Sequence, residues 1–291
     1  MGLFEMDDPG PLQAPALVVA FDGWVNAGSA GTAAAAHLAG DGTTIGRFDA
    51  DALFDYRASR PTLEFIDGVL AGVEYPEVSL RHTSLPRAGT GSRDVLVLSG
   101  IEPNWNWQTL GSAVADCAVE LGVVEHVSLG GIPWATPHTH PTTIIETASR
   151  ADLLSQGADR PEGVLRAPGS AVSVVEAFVA ARGIPTRGYW ARVPHYVGAV
   201  YVASVVALVE RASTHLGVGV DYASLLDAAD EQRRRLDEIL EERPEAKAMV
   251  EQLEQIAASA EGSVSGEALA AEIERFLQQR DRDNPWNGGE S

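Results

Sequence analysis

Cysteine and lysine are nearly absent from this chain of 291 residues, which carries one of each, Cys117 and Lys247. A single cysteine excludes a disulfide bond within the chain and zinc sites built from cysteine pairs. The lone lysine lies in a late helical stretch, so the chain lacks the lysine of a P-loop and the Schiff-base lysine of a pyridoxal enzyme. Cys117 shares one helical face with Leu110, Val114 and Leu121, which predicts a core thiol.

Long apolar runs and basic residues are also scarce. No apolar stretch approaches the ~20 residues that a membrane span needs, and the first residues lack the features of a signal peptide. Acidic residues number 41 against 21 basic ones, for a formal charge of -20. Phosphate backbones and anionic lipids repel such a chain. We therefore expect a soluble cytoplasmic protein that binds neither nucleic acid nor membranes.

What the chain does contain is a repeated pattern of aliphatic runs that end in glycine-containing loops rich in Trp, Asn and His. The runs are residues 17–21, 95–99 and 126–129, and the loops that follow are residues 22–29, 100–107 and 130–141. A fourth loop of this kind, residues 194–198, follows a predicted strand over residues 186–193. In an open α/β sheet, ligands bind outside the carboxyl ends of the strands. These loops are therefore the candidate functional surface.

Strands that alternate with helices predict a parallel or mostly parallel sheet with helices on both faces. Further strands are predicted at residues 43–48 and 78–83. Helices are predicted at residues 28–38, 108–121 and 170–181, with Ser170 as the N-cap of the third. A fourth helix follows the loop of residues 194–198 and runs through His215. Pro61 suits the first position of a helix, so a helix is also predicted from Pro61 through Leu63, Phe65 and Ile66 to Gly68.

The composition changes after Gly219, beyond which only helical patterns occur, at residues 221–242, 245–260 and 266–282. From Asp221 to the end the chain has 18 acidic and 8 basic residues, which favours solvated helix surfaces over an acidic docking surface. We expect an α/β core domain over residues 1–217, a small all-α C-terminal domain over residues 218–283, and a flexible tail over residues 284–291.

Acid–base chemistry has four candidates at the strand ends: Asp22, Glu102, His138 and His195. Trp and Tyr side chains nearby would offer a stacking wall for a ring. The competing interpretation, which we favour, is that the polar groups satisfy one another. Asp55 would then pair with Arg57 or Arg60, and Asn104 and Asn106 would bond turn backbone. No Gly-x-Ser-x-Gly elbow exists, which argues against a serine hydrolase of the α/β type.

Metal binding has one weak pair of candidates, His138 and His140, which occupy alternate positions. A third ligand would have to come from Glu146, His195 or Glu102. Two histidines without cysteine or a paired-carboxylate motif are a weak signal, and prolines on both sides interrupt a regular strand. We expect no metal and no cofactor.

Five segments resemble the motifs of the proteasome assembly chaperone 2 family in its actinobacterial form, and they occur in the family's order. They are residues 21–28 (FDGWVNAG), 54–61 (FDYRASRP), 100–103 (GIEP), 131–139 (GIPWATPHT) and 193–196 (VPHY). The resemblance covers roughly residues 15 to 215 and, more loosely, the helical region that follows.

The resemblance implies a three-layer α/β/α fold similar to nucleoside phosphorylases and related hydrolases, and self-association into a ring-like homo-oligomer such as a trimer. For some relatives it implies help in assembling proteasome α-rings. Two departures stand out. Relatives that dock on α-rings end in a hydrophobic residue, Tyr and one more residue, whereas this chain ends in residues 288–291 (GGES). His140 stands where the family more often has Arg.

We therefore expect a non-enzymatic oligomer that acts through protein–protein contacts with itself and with proteasome subunits. The alternative is a small-ligand-binding protein, or a hydrolase or nucleosidase-like enzyme, that uses the strand-end loops. The residues expected to bind a ligand or partner are Trp24, Asn26, Trp105, Trp107, Trp134, His138, Asp55, Arg57 and Arg60. We expect a neighbouring subunit to cover part of this aromatic surface.

Overall fold

A single large sheet organises the fold in the computed structural model, which describes residues 3–87 and 89–259. Within these ranges the strands are β1 (Phe4–Met6), β2 (Ala16–Asp22), β3 (Thr43–Phe48), β4 (Thr62–Ile66), β5 (Val69–Glu74), β6 (Val78–Pro86), β7 (Ser92–Ile101), β8 (Glu125–Trp134), β9 (Ile144–Ala148) and β10 (Thr186–Pro194). The helices are α1 (Ala30–Ala39), α2 (Ala50–Leu53), α3 (Trp107–Glu120), α4 (Ala171–Ala181), α5 (Val202–Leu216), α6 (Ala223–Glu242) and α7 (Pro244–Ser259).

The main sheet has the strand order β1-β3-β6-β7-β2-β8-β10-β9. Its four central strands, β7, β2, β8 and β10, run parallel. Antiparallel strands flank them on both sides. Because the central strands run parallel, their carboxyl ends meet at one edge of the sheet, and the four predicted loops follow from that edge.

Helices cover both faces of this sheet. Helices α1 and α5 pack on one face, whose buried residues include Val18, Val97 and Leu208. Helices α3 and α4 lie on the other, with Leu17, Leu98 and Val175. The central strands are apolar on both sides because both sides are covered. The predicted three-layer α/β/α fold with its C-terminal helices is confirmed.

Close approach of helix α1 to the sheet depends on glycine. A Cβ at Gly31 would lie 2.5 Å from the carbonyl oxygen of Leu129 in β8. Helix α4 begins as predicted at Ser170, whose hydroxyl accepts a hydrogen bond from the Ser173 N–H. These contacts place the first turns of both helices beside the carboxyl ends of the strands.

The helix predicted after Pro61 is wrong. This segment forms a hairpin of β4 and β5, and the hairpin pairs with no other strand of the described chain. Asp67 and Gly68 connect the strands with φ of 50° and 82°. Two successive positive φ angles are typical of a type I′ turn, for which Asp-Gly is a preferred sequence. Alternation of Thr62, Leu63 and Glu64 also has the period of a strand, and both signals outweigh the proline.

The remaining differences are smaller. Strands β1 and β9 were not predicted, and both are short edge strands of the sheet. Helices α6 and α7 occupy the first two predicted C-terminal helical segments, and α6 packs on α5. The helix predicted over residues 266–282 and the tail predicted over residues 284–291 lie outside the described residues.

Candidate functional site

Asn26 organises the loop between β2 and α1. Its side-chain amide donates to the carboxylate of Asp22 at 2.9 Å and to the hydroxyl of Thr32 at 2.8 Å, and its Oδ1 accepts from the Thr32 N–H at 3.1 Å. Asn26 is buried, whereas Asp22 is exposed. The amide thus binds a free N–H of the first turn of α1 and holds the Asp22 carboxylate against the loop.

Glu102, predicted as an acid–base candidate, clamps two backbone segments together. Its Oε2 accepts from the Trp24 N–H at 2.8 Å and its Oε1 from the Ala171 N–H at 2.8 Å. Ala171 is the first residue of α4, so the carboxylate lies at the positive end of the helix dipole. A Cβ at Gly23 would overlap the Glu102 side chain, which explains the glycine there. Both carboxylate oxygens already accept backbone bonds.

His138 is buried, and each of its ring nitrogens has a partner. Nδ1 lies 2.7 Å from the Tyr196 hydroxyl and Nε2 lies 3.1 Å from the Asp237 carboxylate. The same hydroxyl accepts from the His138 backbone N–H at 2.8 Å, and burial raises the pKa of Tyr196 to about 12. Asp237 belongs to α6, so His138 joins the strand-end loop to the C-terminal helices.

The two other predicted histidines are exposed. His195 Nδ1 lies 3.3 Å from the carbonyl oxygen of Trp134, and His140 follows the buried His138 at the surface. In the described residues no group of three His, Cys, Asp or Glu side chains is arranged to hold a metal ion. The strand ends therefore bring Asp22, Glu102 and His138 into hydrogen-bonded networks within the protein.

The four loop tryptophans have different environments. Trp24 lines an apolar cavity, Trp107 Nε1 donates to the Pro103 carbonyl at 2.6 Å, and the Arg192 guanidinium lies 4.7 Å from the centroid of the Trp134 ring. Trp105 is 49% exposed. Trp105, Trp107 and Trp134 are not part of the wall of the cavity that Trp24 lines. The loops share an edge of the sheet without forming one tryptophan-lined cleft.

The predicted Asp55–Arg57 ion pair is present. Asp55 Oδ1 accepts from the backbone N–H of Arg57 at 3.0 Å and lies 3.4 Å from its Nε, and these bonds lower the pKa of Asp55. Asn104 Oδ1 accepts from the Asp55 N–H at 2.9 Å, as predicted for an asparagine that bonds turn backbone. Arg60 is exposed and takes no part in this pair.

Cys117 has the inert environment predicted for it. The thiol packs against the core, with Sγ 3.7 Å from the sulfur of Met6. Burial, helped by the charge of Glu120, raises its pKa to about 11. A thiol with so high a pKa is a poor nucleophile at neutral pH.

Sequence reasoning missed an exposed apolar surface, which is one face of the β4–β5 hairpin. Leu63 pairs with Val73 and Phe65 with Leu70, so these four side chains share a face. Each of them is between 41% and 57% exposed. We call the surface formed by these four side chains the hairpin face. The strand alternation and the Asp-Gly turn in the sequence are the signals that predict it.

The base of the hairpin adjoins the loops predicted to bind a partner. The rings of Tyr56 and Tyr75 are in contact, with centroids 5.3 Å apart, and Tyr75 is 55% exposed. Ser59 donates to Asn104 at 3.0 Å and thereby ties this loop to the loop that carries Trp105. These contacts place the base of the hairpin beside both loops.

Comparison with known proteins identifies the family. The model of the PAC2 family matches residues 20–240. No curated protein matches the chain. In the part of the chain that the structure describes, no helix has both the length and the apolar character needed to cross a membrane.

Three solved structures from actinobacteria are similar in fold and sequence. A Mycobacterium tuberculosis protein of unknown function is 32% identical, with a TM-score of 0.83 and 96% of each chain covered. The M. tuberculosis proteasome-assembly chaperone homologue is 31% identical, with a TM-score of 0.71, over 77% of this chain and 94% of that one. A PAC2 family protein from Streptomyces avermitilis is 30% identical, with a TM-score of 0.70, over 77% of this chain and 95% of that one. This chain therefore belongs to the PAC2 family.

Proposed function

We propose that this protein is a non-enzymatic homo-oligomer with a chaperone-like role in proteasome assembly, and that it acts in the cytoplasm through protein–protein contacts. The observation that carries the proposal is the exposed apolar hairpin face. The similarity to a proteasome-assembly chaperone homologue supports the choice of proteasome subunits as partners. The alternative of a hydrolase at the strand ends has less support, because Glu102 and His138 already bind groups of the protein itself.

An isolated two-stranded hairpin is marginally stable in water, and contiguous apolar patches on soluble proteins commonly mark interaction sites. Burying apolar side chains gives about 25 cal/mol for each Å² removed from water. Within one chain only part of this energy is gained at the hairpin face, because its four side chains, Leu63, Phe65, Leu70 and Val73, stay about half exposed. A partner that covers the hairpin face would stabilise both the hairpin and the complex.

A second copy of the chain suits the hairpin face. The hairpin carries Glu64, Asp67 and Glu74 and no basic residue. Glu64 and Glu74 alternate with the apolar residues and so point to the opposite side, while Asp67 lies in the turn. Two hairpin faces can therefore meet without bringing their carboxylates together, even though each chain is strongly acidic.

The proteasome subunits would contact the two loops beside the hairpin, which carry Trp105, Arg57 and Arg60. These side chains are exposed, and Trp and Arg are frequent at the centres of protein interfaces. Trp24, Asn26, Trp107, Trp134 and His138 would support this surface by holding the strand-end loops in place.

The test of self-association is the double variant L63K/F65K. Light scattering after gel filtration should show an oligomer for the wild-type chain and a monomer for L63K/F65K at micromolar concentration. The added lysines reduce the repulsion between acidic chains, so a loss of association would reflect the lost apolar face. Circular dichroism should be unchanged.

The matched control is T62K, which adds a lysine to the opposite side of the same strand, across from Glu74. T62K should keep the wild-type mass. A monomeric wild-type chain would overturn the homo-oligomer, and an L63K/F65K variant of wild-type mass would overturn the hairpin face as its interface.

The proteasome role requires that purified proteasome α subunits co-elute with the wild-type chain. Separate elution would contradict it.

A further inference from the structure

A second feature of the molecule, independent of the hairpin, is an apolar cavity of about 320 Å³. It lies on the α4 side of the sheet, between α4, strands β8 to β10 and the loop segment of residues 161–168. Trp24, Trp190, Ile145 and Leu165 form much of its wall. Its volume is at the lower end of the range of about 300–1,000 Å³ that is usual for small-molecule sites.

Two glycines shape this cavity by letting the Trp190 ring approach the sheet closely. A Cβ at Gly130 would lie 2.7 Å from the ring, and a Cβ at Gly188 would lie 2.7 Å from its nitrogen. The indole N–H donates to the Thr147 hydroxyl at 2.9 Å, which fixes the orientation of the ring. One wall of the cavity is thus a preformed aromatic surface.

Glu176 is the single ionisable residue among those that form the wall. Its carboxyl accepts from the Ser128 hydroxyl at 2.9 Å and from the Thr186 hydroxyl at 3.4 Å, and both of these residues are fully buried. Burial raises the pKa of Glu176, and the hydrogen bonds from Ser128 and Thr186 offset only part of this effect. No salt bridge joins Glu176 to a cation of the described chain.

His126 supplies no charge to this site either. It lies two residues before Ser128 in β8 and pairs in register with Thr186, so its side chain is on the same side of the sheet as the Glu176 network. Both of its ring nitrogens lack a hydrogen-bond partner among the described residues. Burial lowers its pKa to about 3, and the ring is therefore neutral.

We propose that the cavity binds a small, mostly apolar amine whose ammonium group pairs with the Glu176 carboxylate. The aromatic and aliphatic walls would hold the apolar body of the ligand. An ammonium group would supply the cation that the carboxylate lacks, and a charge-assisted hydrogen bond of this kind is among the stronger polar contacts in proteins. An anionic ligand of the same shape would be repelled.

Three probes with one skeleton test the proposal on the full chain by isothermal titration calorimetry: 4-phenylbutylamine, 4-phenylbutan-1-ol and 4-phenylbutyrate. The amine should bind about tenfold or more tightly than the alcohol, and the carboxylate should bind most weakly. E176Q should remove the preference for the amine while the alcohol still binds. The matched control E162Q removes an exposed carboxylate of the covering segment outside the cavity wall and should leave the order unchanged.

A177F provides a second variant that does not alter Glu176. It places a large ring in the cavity from α4, because Ala177 is part of the wall, and it should abolish binding of all three probes. Equal binding of the amine and the alcohol, or no binding of the amine at millimolar concentration, would overturn the proposal. It would likewise be overturned if E162Q reduced amine binding as much as E176Q. None of these outcomes depends on the oligomeric state.

Discussion

At the scale of single residues, the densest charge network surrounds Glu125, at the amino end of β8 and far along the strand from the candidate loops. Its carboxylate lies 2.6 Å from Arg93, 2.8 Å from His215 and 3.7 Å from Arg187. Burial raises the pKa of Glu125, but the bonds to His215 and Arg93 outweigh it and lower the value to about 2. The network joins β7, β8, β10 and α5 through one carboxylate.

This pKa makes stability depend on pH in a defined window. An unfolded glutamate titrates near 4.5, and a lowered pKa in the folded state stabilises the fold above that pH. The contribution, about 3 kcal/mol, is lost as the pH falls from about 4.5 to about 2. Chemical denaturation of E125Q should show roughly this loss at pH 7 and a shallower decline of stability below pH 5.

The control for this prediction is D152N. The Arg150–Asp152 pair lies at the surface, with both side chains more than half exposed, so its loss should leave the stability of the fold almost unchanged. Parallel pH profiles for the wild-type chain and E125Q would contradict the prediction.

At the scale of elements, two polar side chains of the strand-end loop hold the C-terminal helices. His138 binds Asp237 of α6 at 3.1 Å, and Thr139 donates to Glu254 of α7 at 2.5 Å. Gln232 of α6 adds a bond to the Val202 N–H at 2.9 Å. Residue His138 was predicted as a catalytic or metal candidate, and in this arrangement it positions a helix.

We predict that D237A loosens α6 and α7 while the sheet keeps its stability. Removing the partner of the buried His138 should lower the hydrogen-exchange protection of α6 by severalfold, since local openings report on such contacts. Amides of β2 and β8 should keep their protection.

E231A is the matched control for D237A, because Glu231 forms its ion pairs with Arg234 and Arg235 of its own helix. It should leave the attachment of α6 unchanged. Equal loss of protection in D237A and E231A would show that the His138 contact has no special part in it.

At the scale of the whole molecule, the charge of -20 opposes the self-association that we propose for the hairpin face. Raising the NaCl concentration from about 0.05 M to about 0.5 M shortens the screening length and weakens the repulsion between copies. Sedimentation equilibrium should therefore show tighter association at the higher salt concentration. L63K/F65K should stay monomeric in both buffers. Weaker association at high salt would indicate an interface held by ion pairs.

Much of the fold was predictable because its signals are local. The aliphatic strands, the Ser170 cap and the helix that carries Cys117 follow from periodicity and burial on both faces of the sheet. The family motifs identified the architecture. The hairpin differs from the prediction because Pro61 indicates the start of a helix, whereas the Asp67–Gly68 turn and the strand alternation indicate the hairpin that forms.

The sequence by itself determined that this is an acidic α/β protein of one family, with polar and aromatic residues at the carboxyl ends of its strands. Only the tertiary structure decided what those residues do. Glu102 meets the start of α4, which lies 69 residues further along the chain, and His138 meets α6 across 99 residues. The isolation of the hairpin and the burial of Glu176 likewise depend on which elements pack together. Contacts between residues so distant in sequence depend on how the elements pack, and local sequence patterns do not predict that packing.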